Sequence, residues 1–227
     1  SGPSVCSGRE LIECDRPLVK AMCTRCGLVY TAQSPLDGGV ETYYRQLYSS
    51  KLQDATYDYV NFERGKRFSQ AVSDFVLDRS LSQRGRLLDI GCGKGLFVQA
   101  LARAYPDWST EGVDPSPRSI ALARENAPGA TFHERGFDVA DFAAGTYDLI
   151  ALHGILNRLA PGKLLREATS LLRAGGLVSV SVAILSEAPF QLYFADDYYL
   201  FFREHVLAMA ATAGLTLVDQ DEAGSIW

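Results

Sequence analysis

Residues able to do chemistry fall into three groups. The first is the run Leu87-Leu88-Asp89-Ile90-Gly91-Cys92-Gly93-Lys94-Gly95-Leu96-Phe97. Gly91, Gly93 and Gly95 alternate, so the backbone can approach a ligand where a Cβ would collide. Apolar residues on either side predict a strand leading in and a helix leading out. That helix would present free N–H groups and its positive dipole end. Asp89 is an acid inside an apolar strand and invites a partner. Further on, Glu111-Gly112-Val113-Asp114 ends a second strand with a carboxylate that could accept both hydroxyls of a ribose. The glycine spacing is not the G-x-G-x-x-G of nicotinamide enzymes, and no G-K-[ST] follows, so a phosphate-cradling P-loop is excluded.

The second group is the cysteines. Cys6, Cys14, Cys23 and Cys26 crowd the first 26 residues, and Cys92 stands alone later. No charged-then-apolar leader precedes them, so a reducing cytoplasm is expected, and a metal site comes before disulfides. Four thiolates would make a closed structural zinc site with no open position for reaction. The alternative is reduced, unliganded thiols. Gly27 would allow a tight turn that aims backbone N–H groups at a thiolate. A redox pair is disfavoured because Cys23-x2-Cys26 does not open a helix after a strand. The third group is the histidines. His153 follows an apolar strand and could act as a base near neutral pH. His133 and His205 read as structural. Cys92 reads as a small packed residue, since no neighbouring His supports a nucleophile.

These residues need a scaffold, and the pattern supplies one. Strands are predicted at Arg86–Ile90, Thr110–Val113, Ala130–His133, Tyr147–Leu152, Leu177–Leu185 and Leu215–Val218. Helices are predicted at Leu96–Tyr105, Pro117–Asn126, Pro161–Leu172 (stopped by Gly175-Gly176) and Tyr199–Ala213. Alternating strands and helices mean an α/β fold in three layers, a mostly parallel sheet between helices. Residues 1–33 read as a cysteine module resembling a zinc ribbon. Residues 34–80 read as a helical linker or lid, and 81–227 as the main domain. Tyr43, Tyr44, Tyr48, Tyr57 and Tyr59 fit either a packed helical face or a cover over a ligand.

Composition narrows the classes. The chain has 227 residues, 47% of them hydrophobic, which is ample for a core. The net charge of −5 and a pI near 5.2 argue against a broad nucleic-acid surface. No apolar run approaches the roughly 20 residues of a membrane helix.

The runs LLDIGCGKGLF, EGVDPSP, TYDLIALHGIL and LLRAGGLVSVSV, in that order, resemble class I S-adenosylmethionine-dependent methyltransferases over about residues 80–220. The resemblance implies a Rossmann-like sheet of seven strands in the order 3-2-1-4-5-7-6. It implies that Asp89 and Gly91 hold the methionine amino group, with Gly93 and Gly95 leaving room and Cys92 and Phe97 beside them. Asp114 would bind the ribose, and Pro115 and Ser116 would flank the adenine. Gly136, Phe137 and Asp138 would line its pocket. Leu152, His153 and Gly154 would face the methyl, with His153 either base or packing.

Cys23-x2-Cys26 with Gly-Leu-Val-Tyr is similar to the zinc-binding segment of sugar C-methyltransferases, whose other CxxC pair is incomplete here: Cys6 remains, Pro3 stands where its partner would be, and Cys14 would substitute. In those enzymes a Glu-His pair follows strand 5. Here Asp196-Asp197 occupies its place, so Tyr193, Asp196 and Asp197 are the candidate substrate residues and a keto-sugar acceptor is in doubt. The expected function is methyl transfer to a small molecule, a sugar or secondary metabolite. The rivals are a zinc-finger RNA methyltransferase and a non-catalytic S-adenosylmethionine-binding protein. Residues 225–227 stand where strand 7 should follow, so that strand is expected to be lost, replaced or part of a longer natural chain.

Overall fold

The computed structural model describes residues 19–32, 45, 70, 74, 76–77, 81–186, 189, 192 and 197–220. Its centre is a parallel sheet of five strands. These are β3 (Arg86–Ile90), β4 (Ser109–Asp114), β5 (Thr131–Glu134), β6 (Tyr147–His153) and β7 (Leu172–Ser181), in the order β5-β4-β3-β6-β7. Strands β3 and β6 are mostly apolar, apart from Asp89 and their end residues, because helices cover both faces. On one face Leu87, Leu149 and Ala151 pack with α1 (Leu96–Ala104) and α2 (Pro117–Asn126) through Val98, Leu101 and Ile120. On the other, Leu88, Ile90, Ile150 and Leu152 pack with α3 (Pro161–Leu171) and α4 (Arg203–Thr212) through Leu164, Leu165, Ala168 and Val206. Those four helical residues are almost fully enclosed, and each contributes on the order of 1.5–3 kcal/mol of burial except the smaller Ala168.

Local chemistry sets the helix starts. Gly95, at φ +69°, turns the chain into α1. Ser116 caps α2 by accepting a bond from the Ser119 N–H at 3.3 Å, and Pro117 sits in the first turn. Both place helix N-termini at the carboxyl edge of β3 and β4.

Three expectations change. Gly175-Gly176 does not stop α3, which ends at Leu171 and runs directly into β7. Tyr147 pairs with Leu172 but Leu149 with Leu177, so residues 173–176 bulge from the ladder, Gly175 making the turn at φ +76°. Tyr199 starts no helix: Tyr199–Leu200 is a short strand, β8, and α4 follows it.

Leu215–Val218 forms no strand, and Leu217 and Val218 are exposed. In the expected order, strand 7 lies between strands 5 and 6. No described strand fills that place, so residues 215–218 have no ladder to join. Among the described residues the parallel sheet has five strands where seven were expected.

The described part of the cysteine segment is paired into the fold. Residues 20–31 form a hairpin, β1 (Lys20–Met22) and β2 (Val29–Thr31), with Cys23 and Cys26 in its turn. β2 also pairs antiparallel with β8, giving a sheet β1-β2-β8. The hairpin is thus bonded to the main body through β8. Of the predicted helical stretch before residue 80, Gln70, Asp74, Val76 and Leu77 are helical, and Val76 is buried beside Leu87. The five tyrosines of that stretch lie outside the described residues.

Candidate functional site

The carboxyl edge of β3 and β4 gathers the glycine turn and two acids. Asp89 is 3% exposed, and burial, with the nearby Asp114 charge, pushes its carboxyl up to about 8. Among the described residues no donor reaches it. Asp114 is placed differently. Its Oδ2 accepts the Gly93 N–H at 3.0 Å and its Oδ1 the Ser116 N–H at 2.9 Å. These two bonds partly offset the burial that raises its pKa. Asp114 therefore ties the end of β4 to the glycine turn while keeping lone pairs for a ligand.

The turn is shaped from below and open above. Gly91 sits at φ +76°, and a Cβ there would lie 2.3 Å from Ile155 Cγ2. Gly93, at φ +52°, has nothing within 4 Å on its Cβ side. Only this glycine borders open space where a ligand could lie. The Gly91 and Cys92 N–H groups both go to the Val113 carbonyl, so these two donate within the protein. Cys92 is packed under Gly112, and burial pushes its thiol up, which makes it inert.

The far side of the edge is β6. His153 is half-buried: its Nε2 shares a hydrogen bond with Ser179 Oγ at 2.8 Å, and Phe97 meets its ring edge-on at 4.6 Å. Burial pulls its pKa down to about 3. That shift keeps the ring neutral across the useful range. Phe97 is 4% exposed and packs on His153. Leu152 is fully buried and pairs with Val180 of β7. Gly154 donates its N–H to the Ser181 carbonyl at 2.7 Å and gives its own carbonyl to Arg158 Nη1.

The expected adenine wall is partly committed elsewhere. Ser116 is 1% exposed and serves as a helix cap. Pro115 lies between it and Asp114. Asp138 accepts the Ala140 N–H at 3.0 Å, and Phe137 stacks on Phe142 at 5.7 Å beside half-buried Gly136. Asp197 is 4% exposed, and its carboxylate accepts from Asn157 Nδ2 and faces Arg158. Tyr193, Asp196, Cys6 and Cys14 lie outside the described residues.

Sequence reading passed over Ser179 and Ser181. Ser179 and Ser181 face the same side as His153 by strand register, and Ser181 Oγ is buried without a hydrogen bond. Their signal was the Val-Ser-Val-Ser alternation at the end of β7. The two described hairpin thiols lie at either end of a turn closed by Gly27 N–H to the Cys23 carbonyl at 2.8 Å. The N–H groups of Cys26 and Arg25 point at Cys23 and hold its thiol below its ordinary pKa. Among the described residues no group of three or more His, Cys, Asp or Glu is placed to hold a metal. None of their helices is long and apolar enough to cross a membrane. His133 and His205 take structural partners, Glu111 at 3.4 Å and the Cys26 carbonyl at 2.6 Å.

With this geometry in view, the family description "Methyltransferase domain" matches residues 61–217. The chain belongs to the methyltransferase-domain family. A ubiquinone biosynthesis O-methyltransferase of Cereibacter sphaeroides is 37% identical over 114 residues, 46% of this chain and 45% of that one. A trans-aconitate 2-methyltransferase of Rhodopseudomonas palustris is 26% identical over 155 residues, 67% of this chain and 59% of that one. The chain spans about half the length of such relatives. Among solved structures, an O-methyltransferase family protein from Burkholderia thailandensis has a TM-score of 0.65 at 17% identity, covering 81% of this chain and 61% of that chain. A calicheamicin-biosynthesis methyltransferase with bound S-adenosylhomocysteine has a TM-score of 0.57 at 18% identity, covering 77% and 56%. At that identity the likeness is one of fold. In this methyltransferase domain the glycine turn and both acids sit at the strand ends, where open α/β sheets bind ligands.

Proposed function

We propose that this methyltransferase-domain protein moves a methyl group from S-adenosylmethionine to a small-molecule acceptor. The observation that carries the reading is Asp89. It is a buried carboxylate, without a donor among the described residues, beside a glycine turn whose Gly93 flank is open. A cationic amino group is the partner such a carboxylate needs. Asp114 supports the reading as a ribose acceptor, and the open flank of Gly93 leaves room for the cofactor's passage.

When bound, S-adenosylmethionine supplies an activated methyl on a sulfonium. The protein's own contribution is to orient and to exclude water. Asp89 and the Gly91 carbonyl would hold the amino group, and Asp114 the ribose. Pro115, Gly136 and Phe137 would border the adenine through apolar surface and backbone. Neutral His153, pinned by Ser179 and Phe97, holds the wall beside β6 and moves no proton. Any proton lost by the acceptor goes to solvent or to the acceptor's own neighbouring group. Tyr193 and Asp196 remain proposed acceptor contacts.

Relatives named for ubiquinone biosynthesis and trans-aconitate support a small acceptor, and the O-methyltransferase names favour oxygen. The Asp196-Asp197 pair in place of Glu-His agrees with that preference over a keto-sugar carbon. The acidic balance disfavours RNA. We also propose a structural zinc on Cys23 and Cys26, completed by Cys6 and Cys14, in a reducing cytoplasm. The donors aimed at Cys23 support it as the thiolate end of such a site. Calorimetric titration with S-adenosylhomocysteine and a radiolabelled methyl screen of catechols, carboxylic acids and sugars test the main reading. Absence of binding at high micromolar ligand would sink it.

A further inference from the structure

The hairpin does more than lie against the domain. Lys20 of β1 donates from Nζ to the Asp197 carbonyl at 2.6 Å and to Thr31 Oγ1 at 2.9 Å. Thr31 of β2 donates from Oγ1 to the same carbonyl at 3.1 Å. The Asp197 carboxylate reaches the other way. It accepts from Asn157 Nδ2 and lies 3.8 Å from Arg158 Nη2. The Asn157 carbonyl in turn accepts the Tyr199 N–H at 3.0 Å. Thr31, Asn157 and Asp197 are all buried, so these bonds are poorly screened and costly to leave unmade.

Asn157 and Arg158 belong to the turn that follows β6. That turn carries Gly154, whose carbonyl Arg158 holds, and Ile155, which packs beneath Gly91. One buried aspartate therefore joins the hairpin by its backbone and the turn beside His153 by its side chain. His205 adds a second tie, bonding the Cys26 carbonyl while its Nδ1 accepts the Phe202 N–H at 3.1 Å.

We propose that Lys20, Thr31 and Asp197 are positioning residues through which the cysteine hairpin sets the conformation of the turn 154–159 on the acceptor side of the site. Asp197 then acts on the acceptor indirectly, through Asn157 and Arg158, and does not touch it. The acceptor-side assignment rests on the methyl-transfer reading; the mechanical coupling does not.

Hydrogen–deuterium exchange on the whole chain, with S-adenosylhomocysteine titration in parallel, tests it. Lys20→Met should speed exchange of the 154–159 amides about tenfold, equivalent to roughly 1.4 kcal/mol of local opening. Thr31→Val should give a smaller rise at the same amides, and Lys20→Arg should restore most of the protection. The β3 and β4 amides should keep wild-type rates, and S-adenosylhomocysteine affinity should stay within twofold. Unchanged exchange at 154–159 in both variants overturns the coupling. A uniform rise that includes β3 and β4 also overturns it, because the hairpin would then only support global stability. Affinity falling in step with exchange overturns the acceptor-side assignment. If the wild type binds no S-adenosylhomocysteine, the methyl-transfer reading fails while exchange still scores the coupling.

Discussion

Asp89→Asn, followed across pH, separates a ligand-seeking acid from a merely buried one. In the ligand-free protein the Asp89 carboxyl is pushed from 3.8 up to about 8. Its protonated form therefore stabilises the fold fully below pH 3.8, and that contribution is lost as pH rises through 8. Between those values the folded state holds one more proton than the unfolded, so stability falls by about 1.36 kcal/mol per pH unit.

His153 has the opposite sign. Its pKa is pulled from 6.5 down to about 3, so its contribution is present above 6.5 and lost as pH falls. From pH 6.5 to 8 Asp89 acts without that opposition. The expected difference in slope between wild type and Asp89→Asn is about 2 kcal/mol over this window, or 4–8 °C in Tm for a chain of this size. Differential scanning fluorimetry at half-unit steps reads it. With S-adenosylhomocysteine, binding to the ionised carboxylate must release the Asp89 proton. Affinity should then rise close to tenfold per unit from pH 6 to 7.5 in wild type, and stay flat and weaker in the variant. Parallel melting curves with no difference in slope, or pH-independent wild-type affinity, would refute the assignment of Asp89 as the buried receptor for a cation.

Other outcomes follow from the same geometry. Asp114→Ala removes the bonds to the Gly93 and Ser116 N–H groups and should weaken S-adenosylhomocysteine binding at least tenfold by calorimetry. Gly91→Ala places a Cβ 2.3 Å from Ile155 Cγ2 at a left-handed φ, so a loss of at least 1–3 kcal/mol is expected in urea unfolding. His153→Gln should keep methyl transfer within about tenfold of wild type, measured with the best acceptor from the screen; a loss of 10²–10⁴ would restore the general-base role. Elemental analysis of protein purified without chelator should find about one zinc per chain, and Cys23→Ser should abolish it.

Much of the scaffold is legible in local pattern. Arg86–Ile90 and Pro117–Asn126 fall where the apolar run and the Ser-Pro start place them, because both elements are specified by neighbours in sequence. Tyr199 misled because its aromatic neighbours continue the helical spacing of 203–212, while its backbone pairs with Tyr30, far away in the chain. Leu215–Val218 reads as a strand from side chains alone, but a strand exists only beside a partner.

The site divides in the same way. Alternating glycines and the acids at 89 and 114 are determined by the sequence itself, since residue type and spacing are enough to mark a turn at the ends of adjacent strands. Tertiary structure alone decided what those residues can do. It set His153 between Phe97 and Ser179, where desolvation lowers its pKa. It left Asp89 without a donor among the described residues and gave Asp114 two. It also folded residues 20–31 back onto Asp197, joining groups more than 160 positions apart. Desolvation and long-range hydrogen bonds depend on what surrounds a side chain in space, and no spacing along the chain records that.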